Sequence, residues 1–330
     1  MNTNDRPATP SKIPDDIVIR EPEVFVDPEF TNGEPTLSDA EVAFFKEDGF
    51  LVKRGFLNEH ETFKRIIDYV WERVPRGLLE REDPQTWLRV PHEEWTEEDA
   101  ATVGQLTRGG WKFRSRGGIG TEPFFVDGIA NHPRMRKLVS LFIGEPVRPP
   151  RRVRGVYIQF PKAPDVEGRL GPHTDGTAGQ LTAMVLVGDV APHCGGFTIW
   201  PGSHHCLHPQ FATRYGNGRD PDCEEAYDQA RNEVLRDITP LEFPGKAGDV
   251  VFWHPRLIHS PGINCSAEFG NPTMRLIVPC DYQRDGLTLY DAPERGPGWE
   301  RQWWVDTRNH REDVPPTPDN MWDDWAFSRG

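Results

Sequence analysis

Cysteine is scarce in this chain. Five are present, Cys194, Cys206, Cys223, Cys265 and Cys280. Their number is odd and none stand as C-x-x-C, so neither a disulfide framework nor a zinc ribbon is suggested. Reduced thiols and a cytoplasmic location are the expectation. Long apolar runs are missing too: no segment reaches the ~18 residues that span a bilayer. The N-terminus MNTNDRPATPSKIPDD lacks the apolar stretch of a secretory signal, and no membrane partner is expected. Positive charge is in deficit, with 38 Lys and Arg against 52 Asp and Glu, a net −14. An acidic surface repels phosphate backbones, which disfavours a nucleic-acid partner. Glycine clusters at Gly117, Gly118 and Gly120, but the spacing matches neither a dinucleotide nor a Walker fingerprint. Internal repeats are absent.

What remains is a chain long enough to bury a full core without staples. Residues 1–36 are rich in Pro, Asp and Glu and read as an extended arm. TLSDAEVAFFKEDGF (36–50) starts a helix, with Ser38 and Glu41 as a capping box and Gly49 as its stop. FLVKRGF follows as a strand, then NEHETFKRIIDYVWERV (58–74) as an amphipathic helix carrying Phe63, Ile66, Ile67, Val70 and Val74 at helical spacing. Residues 75–125 read as a mobile loop over a site, with Trp111, Lys112, Arg114 and Arg116 as lid contacts. HPRMRKLVSLFIG (132–144) is a third helix.

From Val153 the character changes. RGVYIQF, QLTAMVLVGDV, GGFTIWPGS, LEFPGKAGDVVFWH and TMRLIVPCDYQ are short β-rich segments cut by Gly and Pro, the pattern of an antiparallel sandwich or barrel. An insert at 205–240 interrupts them and contains the helix-like DCEEAYDQARNEVLRDI. It reads as a lid. The organisation expected is an arm (1–36), one domain with N-terminal helices (37–290) and a Trp-rich extension (291–330). Tryptophans in a polar tail must bury somewhere, either on the domain or on a partner subunit, which would make a homo-oligomer.

The chemistry concentrates at GPHTDGTAGQLTAMVLV (171–187). In a strand, residues two apart share a face, so His173 and Asp175 would point the same way. An imidazole nitrogen and a carboxylate oxygen suit a divalent metal, and a second histidine from a remote strand would complete the two-His-one-carboxylate triad of non-haem iron oxygenases. GDVVFWHPRLIHSPGINCS offers two such histidines, His254 and His259. The first, ahead of Pro255 at the end of an apolar strand, reads as a packing residue, and His259 as the ligand. Sixteen residues on, Arg275 stands inside a β run. Burying a guanidinium there is costly unless it is paired, and its fork suits a carboxylate. PGSHH (201–205) reads as a turn whose Ser203 and His204 satisfy local backbone groups. The basic stretch Arg148, Arg151, Arg152, Arg154 reads as a solvated face or an attractor of anionic substrate.

These motifs resemble the phytanoyl-CoA dioxygenase-like (PhyH) family of iron(II)/2-oxoglutarate oxygenases. HTD at 173–175, GGFTIWPGSHH at 195–205, GDVVFWHPRLIHSPGIN at 248–264 and Arg275 carry the likeness. The opening LSDAEVAFFKEDGFLVKRGFLNEHE adds to it, and the likeness covers about residues 37–283. The resemblance implies a mainly β, α+β fold: a double-stranded β-helix (jelly-roll, cupin-like) core with flanking helices packed on one sheet. It implies His173, Asp175 and His259 as catalytic iron ligands and Arg275 as the holder of the far carboxylate of 2-oxoglutarate. Gln159 and, more weakly, Thr182 would line the cosubstrate site. Each also reads as a polar residue satisfied within the sheet.

The activity implied is hydroxylation of an unactivated C–H in a small metabolite or natural-product intermediate, using Fe(II), 2-oxoglutarate and O2 and releasing succinate and CO2. Asp175 stands where related halogenases carry a small residue, which favours hydroxylation, desaturation or cyclisation. Two rival readings remain: a cupin-like metal enzyme without 2-oxoglutarate, and a non-catalytic jelly-roll that binds a ligand.

Overall fold

The computed structural model describes residues 18–19, 33–74, 77, 79–88, 90, 105–107, 110–113, 119–175, 179–210, 221–285 and 316–328. Helix α1 (Asp39–Asp48) begins on the capping box read from the sequence: the Ser38 hydroxyl accepts from the Glu41 amide and the Glu41 carboxylate accepts from the Ser38 amide. Gly49 ends it at φ 82°, a left-handed conformation glycine adopts without strain. Strand β2 (Phe50–Lys53) leads to α2 (His60–Trp71), which buries Phe63, Ile66, Tyr69 and Val70. Helix α3 (Pro133–Ile143) buries Leu138, Val139, Phe142 and their neighbours.

The strands form two sheets. The larger runs β2-β9-β6-β11-β5-β4-β3, where β3 is Gln105–Thr107, β4 Gly110–Phe113, β5 Val156–Gln159, β6 Leu181–Leu186, β9 Val250–Trp253 and β11 Arg275–Tyr282; all its pairs are antiparallel. The smaller runs β1-β8-β7-β10, with β1 Val18–Ile19, β7 Phe197–Ile199, β8 Leu241–Phe243 and β10 His259–Pro261. From β6 onward the chain steps between the sheets, to β7 and β8, back to β9, over to β10 and back to β11. Its core is the jelly-roll that the resemblance implied.

Alternation along the strands sorts the core into two layers. Met184, Leu186, Val251, Trp253 and Ile277 of the large sheet meet Phe197, Ile199, Leu241 and Phe243 of the small one between the sheets. Their neighbours Ala183, Val185, Val250, Phe252, Val278, Cys280 and Tyr282 face outward and pack with α1, α2 and α3. By the same alternation Arg275, Asp281, Thr182 and Gln159 lie on the inner face, the face that carries chemistry. On β11, Arg275 pairs with Gln159 and Asp281 with Thr182.

Three expectations are corrected. The stretch 75–125 was expected to be loop, yet it holds the β3–β4 hairpin that extends the large sheet past β5. The side chains of Trp111, Lys112, Arg114 and Arg116 lie outside the described residues. His173 and Asp175 do not sit in a regular strand: His173 forms a single bridge to His259 and the chain then leaves the sheet. The basic stretch is not a solvated face, since Arg152 and Arg154 are buried while Arg151 is exposed. Its backbone is held on both sides, Val153 N–H by Gly120 and Arg154 N–H by Pro279, which turns those two guanidinium groups inward.

The insert supplies α4 (Ser203–Leu207) and α5 (Pro221–Asp237). The tail packs on its own domain: Trp325 is buried, and Trp322 and Trp325 stack around Phe45 and His254. Trp299, Trp303 and Trp304 lie outside the described residues. No helix among those residues is long and apolar enough to cross a membrane.

Candidate metal centre

Two remote segments meet at one backbone pair. His173 N–H donates to the His259 carbonyl and His259 N–H to the His173 carbonyl, each at 3.0 Å. His259 is also in register with Ile199 on β7, and the Gly171 amide donates to Ser260 Oγ at 2.9 Å. This reciprocal bond puts the imidazole centroids 4.6 Å apart.

Each ring has a fixed tautomer. His173 Nδ1 lies 2.7 Å from the Gly171 carbonyl and His259 Nδ1 3.0 Å from that of Leu257. A carbonyl only accepts, so both Nδ1 atoms carry the proton and both Nε2 lone pairs are free to bind a metal. Burial pushes the His259 pKa down to about 4 against the pull of Asp175, which keeps the ring neutral. Asp175 closes the group. Its Oδ1 is 3.9 Å from His173 Nε2 and its Oδ2 3.7 Å from His259 Nε2. One donor atom from each of the three residues lies within 4.8 Å of the others. Three donor groups this near to one another could share one ion. Two neutral imidazoles and a carboxylate on one side of an ion fit a divalent first-row metal and leave its other side open. His259 is 7 % exposed and His173 46 %, so the centre is open on the His173 side.

Behind Asp175 stands a buried guanidinium. Arg154 Nη1 donates to Asp175 Oδ2 at 2.5 Å, while its Nε and Nη2 fork onto Asp281 at 2.6 and 2.5 Å. Asp281 also accepts from the Gly179 amide and the Thr182 hydroxyl. Burial would raise the Asp175 pKa, but Arg154 and the two imidazoles outweigh it and hold the carboxyl below the usual carboxylate range.

Arg275 is 3 % exposed on the inner face, opposite Gln159. Its Nε has no hydrogen-bond partner among the described residues. Burial pushes its pKa down to about 10, eased by Glu242. Glu242 is itself pushed up to about 7 by burial, against the Gly196 amide and Arg275. A buried guanidinium short of a partner suits a ligand carboxylate, and a dicarboxylate keto acid fits the donor set that faces it. Gln159 is half-buried beside it on the same face. Thr182 is fully buried and gives its hydroxyl proton to Asp281, so it has no proton left to donate to a ligand.

His254 is a packing residue, as read: it is buried, accepts at Nδ1 from the Arg256 amide and stacks on Trp325. Ser203 Oγ accepts from the Ile258 amide and His204 Nε2 pairs with the Lys46 carbonyl. Asp281 and Tyr227 were missed, and Arg154 was read only as part of a basic stretch, not as the partner of Asp175. Tyr227 of α5 bonds Thr174, between the two ligand candidates, at 2.5 Å. Asp281 carried a usable signal, a charge inside the apolar run RLIVPCDY, the same signal that singled out Arg275.

The model of the phytanoyl-CoA dioxygenase (PhyH) family matches residues 45–269. The chain belongs to that family. It is an iron(II)- and 2-oxoglutarate-dependent oxygenase. No curated protein matches this PhyH-family chain. Among solved structures it is similar to AviO1 from Streptomyces viridochromogenes Tue57, at 17 % identity and a TM-score of 0.49 over 78 % of this chain and 100 % of that one. It is similar to EctD from S. alaskensis, at 16 % and 0.47 over 91 % and 92 %. HygX from Streptomyces hygroscopicus, solved with nickel and 2-oxoglutarate, matches at 15 % and 0.46 over 87 % and 100 %.

Proposed function

We propose that this PhyH-family enzyme hydroxylates an unactivated C–H of a small metabolite or natural-product intermediate. His173, Asp175 and His259 hold the iron(II), and Arg275 holds the far carboxylate of 2-oxoglutarate with Gln159 beside it. The observation that carries this reading is the convergence of three donor groups within 4.8 Å on the face that also holds the buried Arg275. Iron(II) with 2-oxoglutarate and O2 supplies oxidising power for a C–H bond, released with succinate and CO2.

The chain's own residues do the rest. The two carbonyls fix the imidazole tautomers, and the reciprocal His173–His259 backbone bond sets the distance between rings. Phe197 and Trp253, with ring centroids 5.5 Å from His259, exclude water from its side. The open side at His173 is where a substrate enters. Asp175 as a metal-binding carboxylate favours hydroxylation, desaturation or cyclisation over halide transfer. Arg275 weighs against a metal enzyme without 2-oxoglutarate, since among the described residues its Nε finds no partner.

We read residues 37–290 as one oxygenase domain, preceded by an arm and followed by a tail. A cytoplasmic location is supported by the free thiols of Cys194, Cys206, Cys265 and Cys280. Pairing of subunits through the tail has weaker support, because Trp322 and Trp325 are engaged within the chain.

The test is anaerobic addition of iron(II) and 2-oxoglutarate, followed by air and a metabolite panel. A weak visible charge-transfer band, then succinate with an oxidised product, is the expected result. A protein that gives neither band nor succinate contradicts the reading.

A further inference from the structure

A carboxylate can bind a divalent ion through one oxygen or both. In a three-residue centre the difference decides how many positions stay open. One oxygen leaves three of six, enough for the two donors of a chelating keto acid and one for O2. Two oxygens leave room for the keto acid alone. Something in this chain must choose between them, and Arg154 is built to do so.

Its guanidinium is buried and faces two carboxylates at once. Nη1 donates at 2.5 Å to Asp175 Oδ2, the oxygen that also lies 3.7 Å from His259 Nε2, while Oδ1 lies 3.9 Å from His173 Nε2. The other edge is clamped on Asp281 by two bonds. Asp281 is held in turn by the Gly179 amide and the Thr182 hydroxyl. The Arg154 amide is bonded to the Pro279 carbonyl, so backbone and side chain are both fixed to β11. A guanidinium clamped on Asp281 along one edge, with its backbone tied to β11, resists following Asp175 if that carboxylate swings. Holding Oδ2 at a fixed point therefore limits which oxygen turns toward a metal.

We propose that Arg154 is a positioning residue that holds Asp175 to single-oxygen metal coordination and thereby keeps the position for O2 open. The proposal rests on Asp175 being a metal ligand, the reading under Proposed function. Strand β11 then serves the centre at both ends. Arg275 at its start receives the cosubstrate, and Asp281 near its end fixes the arginine that shapes the metal's ligand.

Nitric oxide, an O2 surrogate that binds without turnover, reads the open position directly. Iron(II) affinity, the charge-transfer band with 2-oxoglutarate and nitric oxide affinity of that anaerobic complex are measured for the parent, Arg154→Gln, Arg154→Lys and Asp281→Asn. The expected result for Arg154→Gln is a retained band and nitric oxide affinity reduced about tenfold or more, a loss larger than any loss of iron(II) affinity. Arg154→Lys, which keeps the charge but cannot fork, falls between, as does Asp281→Asn. If Arg154→Gln does not fold, those two variants carry the test. Nitric oxide affinity unchanged in the folded variants overturns the proposal. So does iron(II) affinity that falls in step with thermal stability, because that marks a purely structural role. Asp175→Ala separates the two levels: retained iron(II) binding there sinks the ligand reading itself, whereas its loss leaves that reading standing whatever Arg154 does.

Discussion

Arg275 and Arg154 are both buried arginines in a fold with little room for them, yet they do opposite work. Arg154 is saturated by Asp175 and Asp281. Arg275 Nε has no hydrogen-bond partner among the described residues, and burial drags its pKa to about 10. Removing an under-compensated buried charge relieves desolvation, while removing the partner of a ligand carboxylate abolishes binding. Arg275→Met is therefore expected to unfold at the parent's temperature or above it, and to lose the thermal shift that 2-oxoglutarate gives the metal-loaded parent. At a ligand concentration ~100 times its dissociation constant that shift corresponds to about 2.7 kcal/mol. A variant that still responds to 2-oxoglutarate contradicts the assignment. At this scale the sequence was informative where a charge interrupts an apolar run, as at Arg275. Arg154 was not legible, because RRVRG reads as a basic surface until Asp281, 127 positions away, is known to face it.

Helix α5 braces the loop that carries the proposed ligands His173 and Asp175. Tyr227 bonds Thr174, and Arg231 donates to the Pro172 carbonyl at 2.8 Å, so one helix grips the chain on both sides of His173. It packs with Trp200 and Ile258, the neighbour of His259. The insert thus holds both histidine segments, where the sequence suggested only a lid. Tyr227→Phe removes one hydrogen bond, worth about 1 kcal/mol. It is expected to weaken iron(II) binding several-fold with a small loss in unfolding free energy, measured by anaerobic titration beside urea denaturation. Unchanged metal affinity contradicts the brace. Element boundaries followed local chemistry and were readable: the Ser38–Glu41 box, Gly49, and the turn at Gly248 (φ 92°) before β9. The β3–β4 hairpin was not, because its glycines and charges mask a strand whose pairing comes from β5. The H-x-D segment was read as a strand. His173 and Asp175 instead approach His259 through a single bridge.

Across the whole molecule, the tail joins the first helix to the far end of β9. Trp322 and Trp325 cover His254, which neighbours His204 and His208. Burial pushes His204 down to about 3 and His208 to about 4, with neighbouring imidazoles adding to the effect on His204 and Arg256 to that on His208. Burial likewise holds His254 well below its ordinary value. Rings neutral in the native state and titrating near 6.5 when unfolded give stability that is complete above pH 6.5 and lost as pH falls toward 4. Each contributes a slope of up to about 1.4 kcal/mol per pH unit in that window. Urea midpoints at pH 7.5, 6.5 and 5.5 should decline below 6.5, and His208→Asn should flatten the decline; a pH-independent midpoint contradicts it. The sequence showed that tryptophans in a polar tail had to bury. It could not show where, since the receiving surface is assembled from Phe45 and His254, about two hundred residues apart.

The most direct test of the account is anaerobic iron(II) titration of the parent and of His173→Ala, Asp175→Ala and His259→Ala. One tight ion per chain in the parent, lost in each of the three variants while their far-ultraviolet circular dichroism stays unchanged, is the predicted result. Parent-like affinity in any of the three would show that these side chains do not share a metal.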